Sequence, residues 1–174
     1  TSAQMTTGKF QGSFTRDDIV KMMVDSVILA KKKGARTVGV NAEDASRTDM
    51  EFLVKFALAA KEHGADRIRY CDTLGYDSPH TIYERIKELA LAVKLPIELH
   101  CHNDLGMAVG CSIAGAKGAI DGGVDAYINT TINGMGERAG NADLVSCILA
   151  IKYASGISGE YFLAAKYFFK AKIG

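Results

Sequence analysis

The sequence has no Cys-x-x-Cys pair, no run of uncharged apolar residues approaching the ~18 that a bilayer span needs, and almost no net charge. Without an apolar span, a membrane-embedded class drops out. A formal net charge of +1, with Lys and Arg spread along the chain, leaves no basic footprint for nucleic acid. The cysteines Cys71, Cys101, Cys111 and Cys147 fit neither zinc-ligand spacing nor a disulfide framework, and most sit in apolar or strand-like contexts. Buried, reduced thiols are the expectation. Low-complexity segments, flexible linkers and a visible signal peptide are also missing. The chain opens on Thr1 rather than on an initiator methionine, which leaves a preceding segment open, and cytoplasm is the default expectation.

What remains is an ordinary globular composition, 48% hydrophobic and 24% charged, in 174 residues, enough to bury one core. Amphipathic segments of helical length alternate with short apolar runs. Residues 15–33 read as a helix opened by a Thr15/Asp18 capping box, with Ile19, Met22, Met23, Val27 and Ala30 on one stripe. Gly34 closes it, and 37–40 is a brief β-branched run. A second capping box at Thr48-Asp49-Met50-Glu51 opens a helix to about residue 63, closed by Gly64. Strands follow at 67–71, 95–102 and 125–131. Helices follow at 78–93, where Ser78-Pro79 supplies cap and first turn, at 105–120 and at 141–155. Strands recur about every 30 residues, the length of a βα unit.

Such a series makes a parallel sheet covered by helices, either doubly wound or a (β/α)8 barrel. The polar residues decide for the barrel. Glu43-Asp44, Asp72-Thr73, His100 to Asp104 and Asn129 to Asn133 all fall at C-terminal ends of strands, where barrel active sites draw on several strands at once. A doubly wound sheet would gather its ligand groups at one switch point.

His100 and His102 lie two apart on a strand and project to one face, so two imidazole donors can hold a divalent ion. The alternative is a pair of hydrogen-bonded core histidines. Their position at a strand end, followed at once by Asn103-Asp104 as groups that orient the ligands or cap the next helix, favours the metal. The loop at 133–141, NGMGERAGN, has glycines around Glu137-Arg138 that allow close backbone approach to a ligand, with Asn133 within reach of the metal. It is not G-x-G-x-x-G, so no dinucleotide site follows. Glu43 and Thr73 end the first two strands and face the same mouth.

HCHNDLGMA at 100–108 and NGMGERAGNADL at 133–144 resemble the two signatures of the acetyl-CoA-dependent Claisen-condensing enzymes, the homocitrate, 2-isopropylmalate and citramalate synthases. EDASRTD at 43–49 and DTLGYDSP at 72–79 are similar to the preceding strand ends of that family. Hydroxymethylglutaryl-CoA lyases share the first element, but their cysteine-bearing glycine loop is absent here. The resemblance covers about residues 1–155 and implies strands five to eight of a (β/α)8 barrel, with 156–174 a helical tail or the start of a linker. It further implies that His100, His102 and Asn133 hold a divalent metal (Zn, Mn, Fe or Mg), and that Thr73 binds the carboxylate of a 2-oxo acid. Glu43 becomes an acid/base or positioning group, and Glu137 and Arg138 order the acetyl-CoA side. Gly39 and Asn41 stand where lysine-pathway homocitrate synthases carry an arginine and a serine for the distal carboxylate. Nitrogen-fixation-type homocitrate synthases have small residues there, so 2-oxoglutarate is the expected substrate.

The family's arginine and acidic ligand from the first strands have no counterpart in this chain. Half a barrel is expected to leave two edge strands and one apolar sheet face uncovered, and an aromatic stripe of Tyr161, Phe162, Ala165, Phe168 and Phe169 adds to that surface. The expected partner is a second copy in a homo-oligomer or a complementary N-terminal-half subunit. The rival readings are a 2-isopropylmalate or citramalate synthase, or a non-catalytic half-barrel.

Overall fold

The computed structural model describes residues 1–9 and 11–157. Its elements run α1 (Ala3–Lys9), α2 (Arg16–Lys32), β1 (Gly39–Ala42), α3 (Met50–Glu62), β2 (Arg67–Asp72), α4 (Pro79–Val93), β3 (Ile97–Cys101), α5 (Ala108–Asp121), β4 (Ala126–Ile128) and α6 (Leu144–Tyr153). The strands form one parallel sheet in the order β1-β2-β3-β4, with Val40 opposite Ile68, Ile68 opposite Ile97, and Ile97 opposite Ala126. Each strand lies beside its successor and is followed by a helix. Parallel strands in consecutive order, each followed by a helix, are part of a (β/α)8 barrel, the expected fold class.

Local chemistry sets the boundaries. The Thr15 hydroxyl accepts the Asp18 N–H at 3.1 Å while the Asp18 carboxylate accepts the Thr15 N–H at 2.8 Å, the expected box at the head of α2. Ser78 caps α4 with Pro79 in the first turn, and Thr81 completes a box that the sequence reading had not identified. The expected box at Thr48 does not form. Its hydroxyl donates to the Asp44 carbonyl at 2.9 Å, and Asp49 caps α3 instead, accepting the Phe52 N–H at 3.0 Å. A short helix, α1, follows Ser2.

Alternation sorts the two faces of the sheet. Val40, Ala42, Ile68, Tyr70, Ile97, Leu99 and Cys101 point to the helices and are buried against Leu53, Phe56, Ile82, Ile86 and Leu89 in one core. Truncating a fully buried residue such as Leu89 to alanine costs about 2–5 kcal/mol. The other face carries Asn41, Arg67, Arg69, Glu98, His100 and Asn129, so the expectation of an uncovered apolar face is corrected: that face is polar. Arg67 and Arg69 both pair with Glu98 on it, and the Arg67 guanidinium lies 5.6 Å from the Tyr127 ring centre.

All four cysteines are free and buried. Burial pushes the thiols of Cys71, Cys111 and Cys147 up to about 12 and that of Cys101 well above its ordinary value. No helix among the described residues is long and apolar enough to cross a membrane. The tail from 158 onward, with the aromatic stripe, lies outside the described residues.

Candidate functional site

The polar strand ends converge at one rim of the sheet. β3 delivers His100, and His102 follows just past its end. Their ring centres are 5.1 Å apart, and the rings meet nearly edge to face, at 88°. His102 is buried and bridged through its backbone to Asn141, so the last loop is stitched to the histidine. Burial first, then the neighbouring His100 and Arg138, hold the His102 imidazole below its ordinary pKa and hence neutral at pH 7. Its Nδ1 is buried without a hydrogen-bond partner among the described residues. The His100 Nδ1 lies 3.0 Å from the Asn129 amide oxygen.

A neutral imidazole with an orphaned buried nitrogen, next to a second one held by a neighbour, fits a divalent cation. The described residues contain no cluster of three or more His, Cys, Asp or Glu that could complete a ligand set. Further ligands would be amide oxygens, solvent or groups outside the described residues. Asn133, the amide expected near the metal from the sequence, sits in a tight turn with φ of 55°. The residue bridged to His102 is Asn141, to which sequence reasoning assigned no role.

Thr73 follows the end of β2. Its hydroxyl oxygen accepts the Asp44 N–H at 2.8 Å, which leaves its O–H proton for another acceptor. Glu43 follows the end of β1, with its carboxylate in a salt bridge to Lys9 at 2.9 Å. Asn41 is on the polar face one step below, in register with Arg69. Arg138 joins three loops: it donates to both oxygens of Asp104, at 2.7 and 2.9 Å, and to the Thr73 carbonyl at 2.6 Å. Glu137 beside it is exposed. Asn103 caps the next helix by accepting the Ala108 N–H at 3.1 Å, one of the two roles expected for the Asn103-Asp104 pair.

The loop can double back because Gly140 adopts φ of 94°, which lets the Asn141 N–H reach the Gly134 carbonyl at 2.9 Å. Its own carbonyl accepts the Asn103 N–H at 2.9 Å. His100, His102, Thr73, Arg138 and Glu43 thus share one rim. Glu98 and Asn129 are the functional neighbours that sequence reasoning left without a role. A charged residue at the alternate position of an apolar strand, two before His100, was the available signal for Glu98.

Comparison with known proteins gives concordant results. The HMGL-like family profile matches residues 1–166. A protein named Citrate (Re)-synthase from Dehalococcoides mccartyi CBDB1 is 62% identical over 161 residues, which is 92% of this chain and 39% of that one. The 2-isopropylmalate synthase 2 of Caldanaerobacter subterraneus is 48% identical over 139 residues, 80% of this chain and 35% of its own. Homocitrate synthase 1 of Nostoc sp. PCC 7120 is 41% identical over 149 residues, 86% and 37%. The chain therefore spans between a third and two fifths of the length of these curated relatives. Among solved structures, the carboxyl transferase domain of Rhizobium etli pyruvate carboxylase superposes with a TM-score of 0.61 at 20% identity, covering 87% of this chain and 26% of that one, a likeness of fold alone.

Proposed function

The chain belongs to the HMGL-like family, and on that premise we propose that residues 1–155 are the metal- and 2-oxo-acid-binding half of an enzyme that condenses acetyl-CoA with a 2-oxo acid. The observation that carries this reading is the convergence of His100, His102 and Thr73 at the C-terminal rim of a parallel half-barrel. His100 and His102 would hold a divalent ion (Zn, Mn, Fe or Mg), with amide oxygen from Asn133 or Asn141 alongside. A bound ion would supply Lewis acidity at the keto carbonyl of the 2-oxo acid.

The chain's own residues position the substrate. Thr73 uses its acceptor side on Asp44 and donates its proton to the 2-oxo acid carboxylate. Arg138 fixes the 133–141 loop against the loops after β2 and β3, so that Glu137 and its neighbours order the acetyl-CoA side. Glu43, held by Lys9, lines the rim as a positioning group. The base that takes a methyl proton from acetyl-CoA would come from the rest of the barrel, supplied by a longer polypeptide, a second copy or an N-terminal-half subunit.

The sequence alone favoured 2-oxoglutarate and homocitrate. The 62% identity to a protein named Citrate (Re)-synthase, against 41% to a homocitrate synthase, supports oxaloacetate as the 2-oxo acid. The two acids differ by one methylene between the same carboxylates. That is a discrimination of about 1–3 kcal/mol in a fitted pocket.

The test is thiol release from acetyl-CoA, with the chain supplemented by an N-terminal half of the family, over oxaloacetate, 2-oxoglutarate, 2-oxoisovalerate and pyruvate. Release with oxaloacetate in preference to the others is expected. Preference for 2-oxoglutarate would return the homocitrate reading. No release with any acid from a well-folded reconstituted barrel would leave the non-catalytic alternative.

A further inference from the structure

Below the histidines the polar face is wired rather than merely wet. Glu98, almost fully buried, accepts from Arg67 Nε at 2.7 Å on one oxygen and from Arg69 at 2.6 and 2.9 Å on the other. That second oxygen also accepts the Asn129 Nδ2 at 3.1 Å. Asn129 in turn places its Oδ1 3.0 Å from His100 Nδ1. Glu98 lies on β3 and Asn129 just past the end of β4, 31 positions apart, so the link is made by the sheet register.

We infer that Glu98 and Asn129 form a positioning relay that locks His100 in the Nδ1–H tautomer and leaves its Nε2 bare. The argument runs through donor and acceptor capacity. A carboxylate shared by two guanidiniums can only accept, so the amide must turn its NH2 end to Glu98. The amide oxygen is then committed to the histidine and can only accept there. His100 Nδ1 must therefore carry a proton, and in the neutral ring Nε2 cannot. Arg67 and Arg69 hold the carboxylate in place, so the orientation is set four side chains deep before any ligand arrives. A partner that accepts from the far ring nitrogen fixes the ring and raises the basicity of the donor nitrogen. Neither Glu98 nor Asn129 need touch the substrate.

The relay deepens the reading of His100 as a metal ligand and rests on it for its purpose, but the tautomer itself is a property of the metal-free chain. It is read from two-bond 15N–1H correlations of the 174-residue chain labelled at histidine, kept in chelator at mildly alkaline pH. The His100 signals are assigned by their loss in His100→Gln. The expected wild-type pattern is a protonated Nδ1 and an unprotonated Nε2, which needs no variant to fold. Asn129→Leu, with its amide fingerprint retained, should shift His100 toward the Nε2–H form, and Glu98→Ala should give a mixture because the Asn129 amide can then turn. An Nε2–H pattern in the wild type, or an unchanged tautomer in folded Asn129→Leu, overturns the relay. Adding Zn2+ to the same sample separates the two readings. Perturbation of His100 Nε2 supports both, while an unperturbed ring with the expected tautomer leaves the relay standing and removes the metal.

Discussion

Arg138 grips Asp104 with two parallel hydrogen bonds, 2.7 and 2.9 Å long, across 34 residues of chain. The same guanidinium reaches the Thr73 carbonyl at 2.6 Å. Lysine has the charge but not the fork, so Arg138→Lys cannot keep all three bonds. Because the pair is partly exposed and screened by solvent, the loss of overall stability should be small. Amide exchange over 133–141 should quicken clearly all the same. Unchanged exchange there would show that the loop is held by its backbone alone.

Gly140 tests that backbone. A Cβ there would sit 2.0 Å from the Gly134 carbonyl oxygen, on a residue with φ of 94°. At Gly106, φ is 72° but a Cβ meets nothing within 4 Å. Both alanine variants carry backbone strain, of order 1–3 kcal/mol. Gly140→Ala should lose more, and its urea midpoint should fall below that of Gly106→Ala. Equal midpoints would mean that the loop gives way without cost.

Thr73→Val keeps the shape of the side chain and removes the acceptor for the Asp44 N–H. An unpaired, partly buried donor costs about 1–3 kcal/mol. Thr73→Ser should restore most of it. If valine and serine denature together, the hydroxyl is not what holds the two strand ends.

His100→Ala and His102→Ala should each weaken Zn2+ binding by orders of magnitude in equilibrium dialysis, since each removes one of two imidazole donors at the rim. Unchanged stoichiometry and affinity in either variant would place the ion elsewhere.

The four thiols should resist a disulfide reagent until the chain unfolds. Burial holds Cys71, Cys111 and Cys147 at about 12 and Cys101 higher, so thiolate is scarce near neutral pH and access is poor. Rapid stoichiometric labelling of the folded chain would contradict the packing of all four.

The helices were legible because their signals are local. Thr15 with Asp18, and Ser78 with Pro79, act within one turn. β1 was placed two residues early because Thr37 and Val38 are good strand formers, yet the Val38 N–H goes to the Asp66 carboxylate at 2.6 Å and pairing begins only at Gly39 opposite Arg67. The histidine pair was readable from strand period alone. Asn129 on His100 and Arg138 on Asp104 were not, because their partners stand 29 and 34 residues away and are joined only by register and loop closure.

The charged side of the sheet bears on how such a half-barrel behaves in solution. A surface bearing Arg67, Arg69, Glu98 and Asn129 does not need a second layer to keep water away, so it has little tendency to drive clumping. The stickier parts are the open backbone rows of β1 and β4, only four and three residues long. Any strand added at those margins would therefore be held by short hydrogen-bonded rows and by matching of charges, selective in alignment and sensitive to salt, rather than by a coalescence of oil.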